Sequence, residues 1–112
     1  MRSLNVTTLI KTVAASGTPE AIGDATLRFH SVYFTAAKWP AYDSDAGTYG
    51  NTGYVYIQLK NATTGAWQDA RELAPGNEWS YGVDPSLFGI MNGTQIRIRV
   101  ATNGDGVVLV LT

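Results

Sequence analysis

The chain has 112 residues, a length that fits one domain with a real hydrophobic core and leaves no room for a second. Charged residues make up only 15% and the formal net charge is −1, which excludes the basic surface that nucleic acid or anionic lipid requires. Cysteine is absent, so disulfide frameworks, thiolate zinc sites and cysteine nucleophiles are excluded as well.

The opening stretch, "MRSLNVTTLIKTVAASG", has an apolar pattern interrupted by Asn, Thr and Lys and lacks the continuous apolar region of a secretory signal. No stretch approaches the ~20 apolar residues that span a bilayer. We therefore expect a product of the cytoplasm that acts without a membrane. The three Asn-x-Thr sequons then reflect a Thr-rich β composition rather than glycosylation.

Apolar residues alternate in twos along most of the chain, and Gly, Pro, Asn or Asp interrupts them about every ten residues. This rhythm is typical of a sandwich or barrel. The sequence predicts an all-β fold, a single antiparallel β-sandwich of jelly-roll type over residues 1–112. Residues 1–12 are β-branched and Thr-rich, and an N-terminal arm is the alternative to a core strand there.

The segment "TLRFHSVYFTAA" is predicted as one interior strand, with Phe29 and Tyr33 on one face and Val32 and Phe34 on the other. A long irregular segment follows, about residues 38–52, which is dense in Gly, Asp and aromatic residues. Loops longer than about a dozen residues in a compact domain are usually functional or disordered.

Three further strands are predicted after this loop. In "GYVYIQLK", Val55, Ile57 and Leu59 point inward while Tyr56 and Gln58 point outward. "WQDARELA", ended by a Pro-Gly turn, is interpreted as a strand, with a short helical turn as the alternative. "EWSYGVD" is interpreted as another short strand, and "PSLFGIMNG" as a turn or a single helical turn.

The chain closes with "TQIRIRVA" and "GVVLVLT", joined by "TNGDG". Asn-Gly and Asp-Gly are strong turn dipeptides, so the sequence predicts a C-terminal hairpin. In that hairpin the odd-numbered residues of the last strand face the core. Val108 and Val110 then share the opposite face with Arg97 and Arg99, which makes this face a candidate oligomer contact.

Little in the chain indicates catalysis. The only histidine, His30, lies within an alternating strand, where packing is the usual role, and no nucleophile-elbow, phosphate-loop or zinc-protease motif occurs. The acidic residues are scattered over turns, with no pair marked out for glycosidase chemistry. We expect no enzyme and no cofactor.

The loop segment "DSDAGTYGNTGY" places Asp43 and Asp45 like the first two ligands of an EF-hand, which makes them candidate calcium ligands. The match fails beyond them, because Thr48 stands at the glycine position and Tyr54 at the bidentate glutamate position. The alternative is a solvated turn without metal.

Aromatic residues of the loop and the following strand are Trp39, Tyr42, Tyr49, Tyr54 and Tyr56. Three interpretations remain open for them. The loop folds back and buries the rings over an open end of the sandwich, or the rings anchor a protein interface, or they stack on a sugar.

The segments "NTGYVYIQLKN", "ELAPGNEWSY" and "NGTQIRIRVATNGDGVVLVLT" are similar to a pattern of small virion proteins of tailed bacteriophages. The earlier "VAASGTPEAI" and "RFHSVYFTAA" fit the same pattern, while "KWPAYDSDAG" and "TTGAWQDAR" depart from its short forms as extra loop material. The resemblance implies a capsid decoration (cement) protein, or a tail or neck accessory, that forms a symmetric oligomer and has no catalytic residues.

We therefore expect a decoration protein on the capsid surface, a homo-oligomer with a trimer favoured, whose partner is the major capsid protein or another virion protein. The alternative is a carbohydrate- or receptor-binding module. Contacts are expected from the arm, the loop and the last strand. The candidate interface residues are Leu4, Val6, Leu9, Ile10, Trp39, Tyr42, Tyr49, Tyr54, Tyr56, Arg97, Arg99, Val108 and Val110.

Overall fold

The structure is a computed structural model that describes residues 6–39, 43, 45, 47–48, 50–82 and 90–112. Within these residues, ten strands and one short 3-10 turn are the regular elements. The strands are β1 (Thr7–Thr12), β2 (Glu20–Ala21), β3 (Arg28–Phe29), β4 (Ser31–Thr35), β5 (Val55–Lys60), β6 (Trp67–Leu73), β7 (Glu78–Gly82), β8 (Met91–Asn92), β9 (Ile96–Val100) and β10 (Gly106–Leu111). The 3-10 turn, Gly93–Gln95, leads directly into β9.

Two four-stranded antiparallel sheets form the body of the domain. The first sheet has the order β1-β10-β4-β7 and the second the order β2-β9-β5-β6, while β3 and β8 form a small separate ladder. Every strand pair is antiparallel. The prediction of an all-β antiparallel fold is confirmed, and the jelly-roll connectivity stays a prediction.

One hydrophobic core lies between the two sheets. The first sheet supplies Val32, Phe34, Val107, Leu109 and Leu111, and each of these is at most 2% exposed. The second sheet supplies the inward residues of β5 and β9, among which the predicted alternation of Val55, Ile57 and Leu59 is confirmed. Each fully buried side chain of this size contributes about 1.5–3 kcal/mol, so the period-two pattern largely determines which face is inside.

The predicted C-terminal hairpin is wrong. β9 pairs with β2 and β5 in the second sheet, whereas β10 pairs with β1 on one side and β4 on the other in the first. The turn between β9 and β10 therefore carries the chain from one sheet to the other. The turn at Asn103-Gly104 is confirmed, since Gly104 adopts a positive φ of 84°, whereas Gly106 of the second dipeptide is the first residue of β10 and has no positive φ. A tight turn does not determine which strand the chain pairs with next.

The predicted hairpin would place Val108 and Val110 on the same face as Arg97 and Arg99. Val108 and Val110 do not lie beside Arg97 and Arg99, because the two sheets turn their outer faces in opposite directions. The expected semi-polar face made of both sets does not exist.

The segment predicted as one strand, residues 26–37, is two strands, β3 and β4, with a break at His30. Alternation along one continuous strand would place Phe29 and Val32 on opposite faces. Because of the break, both side chains are buried. At the break, the backbone N–H of His30 donates to the carbonyl of Thr112 at 2.7 Å. β4 itself is an interior strand, as predicted, since it lies between β10 and β7.

Of the segment for which an N-terminal arm was the alternative, Thr7–Thr12 pairs with β10 over six residues as an edge strand. Leu4 and the other residues before position 6 lie outside the described residues. The turn or helical turn predicted in "PSLFGIMNG" lies mostly outside them as well. Of its last three residues, Met91–Asn92 form β8 and Gly93 begins the 3-10 turn.

Candidate functional site

The outer side of the first sheet is one continuous surface. Cross-strand neighbours point to the same side of a sheet, so two rows of four residues can be read from the register. We call this surface the first-sheet face, and its rows are Thr8, Val110, Tyr33 and Ser80, and Ile10, Val108, Thr35 and Glu78.

The first-sheet face is apolar and hydroxylated, with a single charged residue. Ile10 is 48% exposed and Tyr33 40% exposed, while Val108, between Ile10 and Thr35, is only 7% exposed. The one charge, Glu78, accepts a hydrogen bond from the Tyr33 hydroxyl. Depletion of charge together with exposed aliphatic and aromatic side chains is the composition of a protein interface.

The hydrogen bond to Glu78 has an electrostatic consequence for Tyr33. It stabilises the protonated phenol, and with the negative charge beside it, it raises the pKa of Tyr33 above its usual value of about 10. One oxygen of the Glu78 carboxylate is thereby hydrogen-bonded to the Tyr33 hydroxyl within the face.

Three candidate residues from the sequence, Ile10, Val108 and Val110, thus lie together on this face. Val6, just before β1, is exposed, whereas Leu9 lies on the other side of β1 and packs against the core. Tyr33 was missed as a site residue. Alternation along the strand indicates that Tyr33 points outward, since it lies between Val32 and Phe34, which are both buried.

The outer side of the second sheet is built differently, from cations stacked on aromatic rings. The guanidinium of Arg97 lies 4.3 Å from the ring centre of Trp67, and that of Arg99 lies 4.0 Å from the ring centre of Tyr56. Both separations are within cation–π range. Tyr56 is therefore half-buried beneath an arginine.

A cross-strand chain of hydrogen bonds runs beside these stacks. Arg97 Nε donates to Gln58 Oε1 at 2.6 Å, and Gln58 Nε2 donates to Asp69 Oδ1 at 2.7 Å. The three residues occupy one row of the register. The chain determines the position of the Asp69 carboxylate on β6, an edge strand with mostly exposed side chains.

A cleft of about 280 Å³ opens next to Asp69. We call it the second-sheet cleft, and it is lined by Tyr56, Asp69, Ala70, Arg71, Glu72 and Arg99. A β-bulge produces its shape. Ile57 pairs with Arg71 but Gln58 pairs with Asp69, so Ala70 has no partner in the ladder and bends the strand there.

The long loop and the last turn are joined by a buried polar cluster, which we call the Asn51–Asp105 lock. Asp105 is fully buried, and its Oδ2 accepts from the backbone N–H groups of Thr52 at 3.1 Å and Gly53 at 2.8 Å. Asn51, also buried, donates to the carbonyl of Gly106 at 2.7 Å and accepts from its N–H at 3.0 Å.

The charge of Asp105 has one nearby counterion. Lys38 Nζ lies 3.9 Å from Asp105 Oδ1, an atom that accepts no hydrogen bond from any described residue. The lock therefore ties the end of the long loop to the start of β10 and connects the two sheets. Asn51 and Asp105 are structural by position, since both side chains are buried.

The loop aromatics are brought together only in part. Trp39 and Tyr54 are exposed, and the Trp39 ring lies against Gly50, where a Cβ would stand 3.1 Å from it. Tyr42 and Tyr49 lie outside the described residues.

The candidate calcium ligands form a tight turn. Asp43 pairs with Thr48 in an isolated bridge, and Asp43 Oδ1 accepts from the backbone N–H of Asp45 at 3.0 Å. Within the described ranges, no group of three or more His, Asp or Glu side chains is placed to hold a metal ion. The same part of the chain contains no helix long and apolar enough to cross a membrane.

Comparisons of the chain with protein-family models, with curated proteins and with solved structures found no match. The function is therefore inferred from the two sheet faces and from the residues themselves.

Sequence reasoning missed the second-sheet cleft. Asp69, Glu72 and Trp67 were not predicted as site residues, because their strand shows no clean alternation of inward and outward residues. The bulge at Ala70 interrupts that alternation, and it depends on pairing with β5. The Asn51–Asp105 lock was also missed as a contact, although both of its segments belong to the motifs quoted above.

Proposed function

We propose that the protein is a non-enzymatic structural protein of a tailed-bacteriophage virion, a capsid decoration protein that binds and stabilises the capsid lattice. The first-sheet face is its contact surface. The observation that carries the proposal is the composition of that face, where seven of the eight residues are uncharged and the eighth, Glu78, is hydrogen-bonded within the face.

The physical reason is desolvation. Burying a charge has a large desolvation cost, whereas Ile10, Tyr33 and Val110 can be covered by a partner with a net gain. A modest contact of this kind becomes strong when several copies bind together, because a symmetric oligomer multiplies it. The proposal therefore includes a homo-oligomer, with the major capsid protein as partner.

The resemblance to small virion proteins supports the same conclusion. Its "NTG" and "NGDG" motifs are residues 51–53 and 103–106, and these segments meet in the Asn51–Asp105 lock. The two motifs are therefore parts of one structural unit, which is a better reason for their joint occurrence than turn composition alone.

The test is binding to capsids that lack the protein. Purified wild type is expected to bind them and raise their melting temperature. Ile10→Lys places an unpaired charge on an exposed position of the first-sheet face and is expected to weaken binding tenfold or more, which corresponds to about 1.4 kcal/mol.

Thr64→Lys is the matched control, because it adds the same charge at an exposed position in the turn between β5 and β6. It is expected to bind like wild type. The proposal is overturned if wild type binds no stage of the particle, or if Ile10→Lys binds as well as Thr64→Lys.

A tail or neck accessory would use the same face on a different partner. Electron microscopy of virions carrying labelled protein distinguishes the two, since label over the whole capsid lattice supports decoration and label confined to the neck or tail overturns it.

A further inference from the structure

The second-sheet cleft has a charge pattern that differs from that of an ordinary solvated surface. Two guanidinium groups, Arg71 and Arg99, and two carboxylates, Asp69 and Glu72, line it, and their charges sum to zero. None of the four forms an ion pair within 4.0 Å with another described residue. Donors and acceptors therefore face the same small space without neutralising each other.

This pattern selects the chemistry of a ligand. A net anion would meet the two carboxylates and a net cation the two guanidinium groups, so neither is favoured. A neutral molecule with several hydroxyl groups matches, because each hydroxyl both donates and accepts a hydrogen bond. Hydrogen bonds to charged partners are the stronger ones, which suits a ligand that must displace water.

The lining residues and the volume of the cleft restrict the class of ligand further. Tyr56 supplies a half-buried aromatic wall whose orientation is supported by the stacked Arg99, and Ala70 at the bulge leaves space beside it. The cleft volume of about 280 Å³ is that of roughly nine water molecules in the liquid, and it lies below the volumes of pockets that bind drug-sized ligands. One sugar ring is of this scale.

We propose that the second-sheet cleft, lined by Tyr56, Asp69, Glu72 and Arg99, binds one residue of a neutral saccharide. Asp69 and Glu72 accept from its hydroxyl groups, and Arg99 and Arg71 donate to them. The Asp69 carboxylate is positioned before the ligand binds. Gln58 donates a hydrogen bond to one of its oxygens, and Arg97 donates one to Gln58. The proposal does not depend on capsid binding, which uses the opposite side of the sandwich.

The test is titration of the isotope-labelled full chain, followed by amide NMR shifts. The probes are the methyl glycosides of glucose, galactose, mannose and N-acetylglucosamine, with glucuronic acid and N-acetylneuraminic acid as anionic probes. At least one neutral glycoside is expected to give saturable shifts at the amides of Tyr56, Arg99 and the bulge.

Two variants locate the binding. Arg99→Met keeps an unbranched side chain over the Tyr56 ring but removes the donors, and it is expected to weaken binding at least tenfold. Glu72→Gln, at an exposed position, keeps the shape of the side chain and is expected to weaken binding severalfold. Should Arg99→Met fold poorly, Glu72→Gln decides.

Lys60→Met is the matched control, because Lys60 lies 6.0 Å from the ring centre of Trp67 on the same sheet but outside the cleft. It is expected to leave the affinity unchanged. The proposal is overturned if no neutral glycoside gives saturable shifts, if only the acidic sugars do, if the shifts centre on Trp39 and Tyr54, or if Lys60→Met weakens binding as Arg99→Met does.

Discussion

At the scale of single residues, Asp105 is the most consequential polar side chain described. It is fully buried, yet it satisfies the backbone N–H groups of Thr52 and Gly53 and faces Lys38. A buried carboxylate is costly by itself, and its hydrogen bonds and counterion offset that cost. Asp105 contributes to stability because the N–H groups of Thr52 and Gly53 would have no acceptor without it.

Asp105→Ala is expected to lower the free energy of unfolding by at least about 2 kcal/mol, because it removes the acceptor of two partly buried backbone N–H groups and each unsatisfied donor costs roughly 1–3 kcal/mol. Urea unfolding followed by tryptophan fluorescence measures the loss. Asp45→Ala, at an exposed loop position, is the control and is expected to change stability by less than about 0.5 kcal/mol. Equal losses in both variants would contradict the structural role of the lock.

Tyr33 provides a prediction about pH. Its raised pKa in the folded state means that the stability contributed by the bond to Glu78 is fully present below the unfolded pKa near 10 and is lost as pH rises through the folded value. In an absorbance titration of tyrosinate, Tyr33→Phe is expected to remove a group that ionises above pH 10. Glu78→Gln should return that group toward its usual pKa.

The outcome against this prediction is a difference titration, wild type minus Tyr33→Phe, centred at or below pH 10. Such a result would mean that the hydroxyl does not donate to Glu78 in solution, and that the first-sheet face carries a free carboxylate.

At the scale of elements, β10 is the strand on which the first sheet depends. It has neighbours on both sides, β1 over six residues and β4 over four. Val107 and Leu109 of this strand face the core. Val108 points to the outer face, where it lies between Ile10 of β1 and Thr35 of β4 and is 7% exposed, which is why the residues from Gly106 to Leu109 are all buried.

Gly106, the first residue of β10, permits the close approach of β1. A Cβ at this position would stand 2.2 Å from the carbonyl oxygen of Lys11, which is backbone and cannot move without displacing the strand. Gly106→Ala is therefore expected to cost about 3 kcal/mol or to prevent folding. Thermal unfolding by circular dichroism measures the effect.

Gly82→Ala is the matched control in the same sheet, because its Cβ would meet only the Cβ of Ser31 at an ordinary 3.4 Å. Gly82 ends β7 without a positive φ, and alanine loses less conformational entropy than glycine on folding, so this variant is expected to be neutral or slightly stabilised. If both alanine variants melted at the same temperature, the close approach of β1 to β10 at Gly106 would be disproved.

At the scale of the whole molecule, the two sheets share one core and present unlike outer faces. The first is uncharged apart from Glu78, and the second carries stacked arginines and a polar cleft. Lys11 on β1 and Glu20 on β2 form a 3.0 Å ion pair between the sheets, worth at most about 1 kcal/mol because both side chains are partly exposed. The shared core, rather than this pair, holds the sheets together.

The sequence by itself determined the all-β class, the inward and outward residues of most strands, and the turn at Asn103-Gly104. These follow from period-two alternation and from local backbone preferences, which act between residues close in the chain. They were sufficient to place Val108, Val110 and Tyr56 on outer faces.

Only the tertiary structure decided which strands are partners. The pairing of β10 with β1 and β4 and the contact of Asn51 with Gly106 each join residues far apart in the chain, and the bulge at Ala70 depends on the register of β6 against β5. Alternation determines which side of a strand is buried but not which neighbour it pairs with, because many pairings bury the same apolar side. The partners were decided by the packing of the whole core and by the lock between its two sheets.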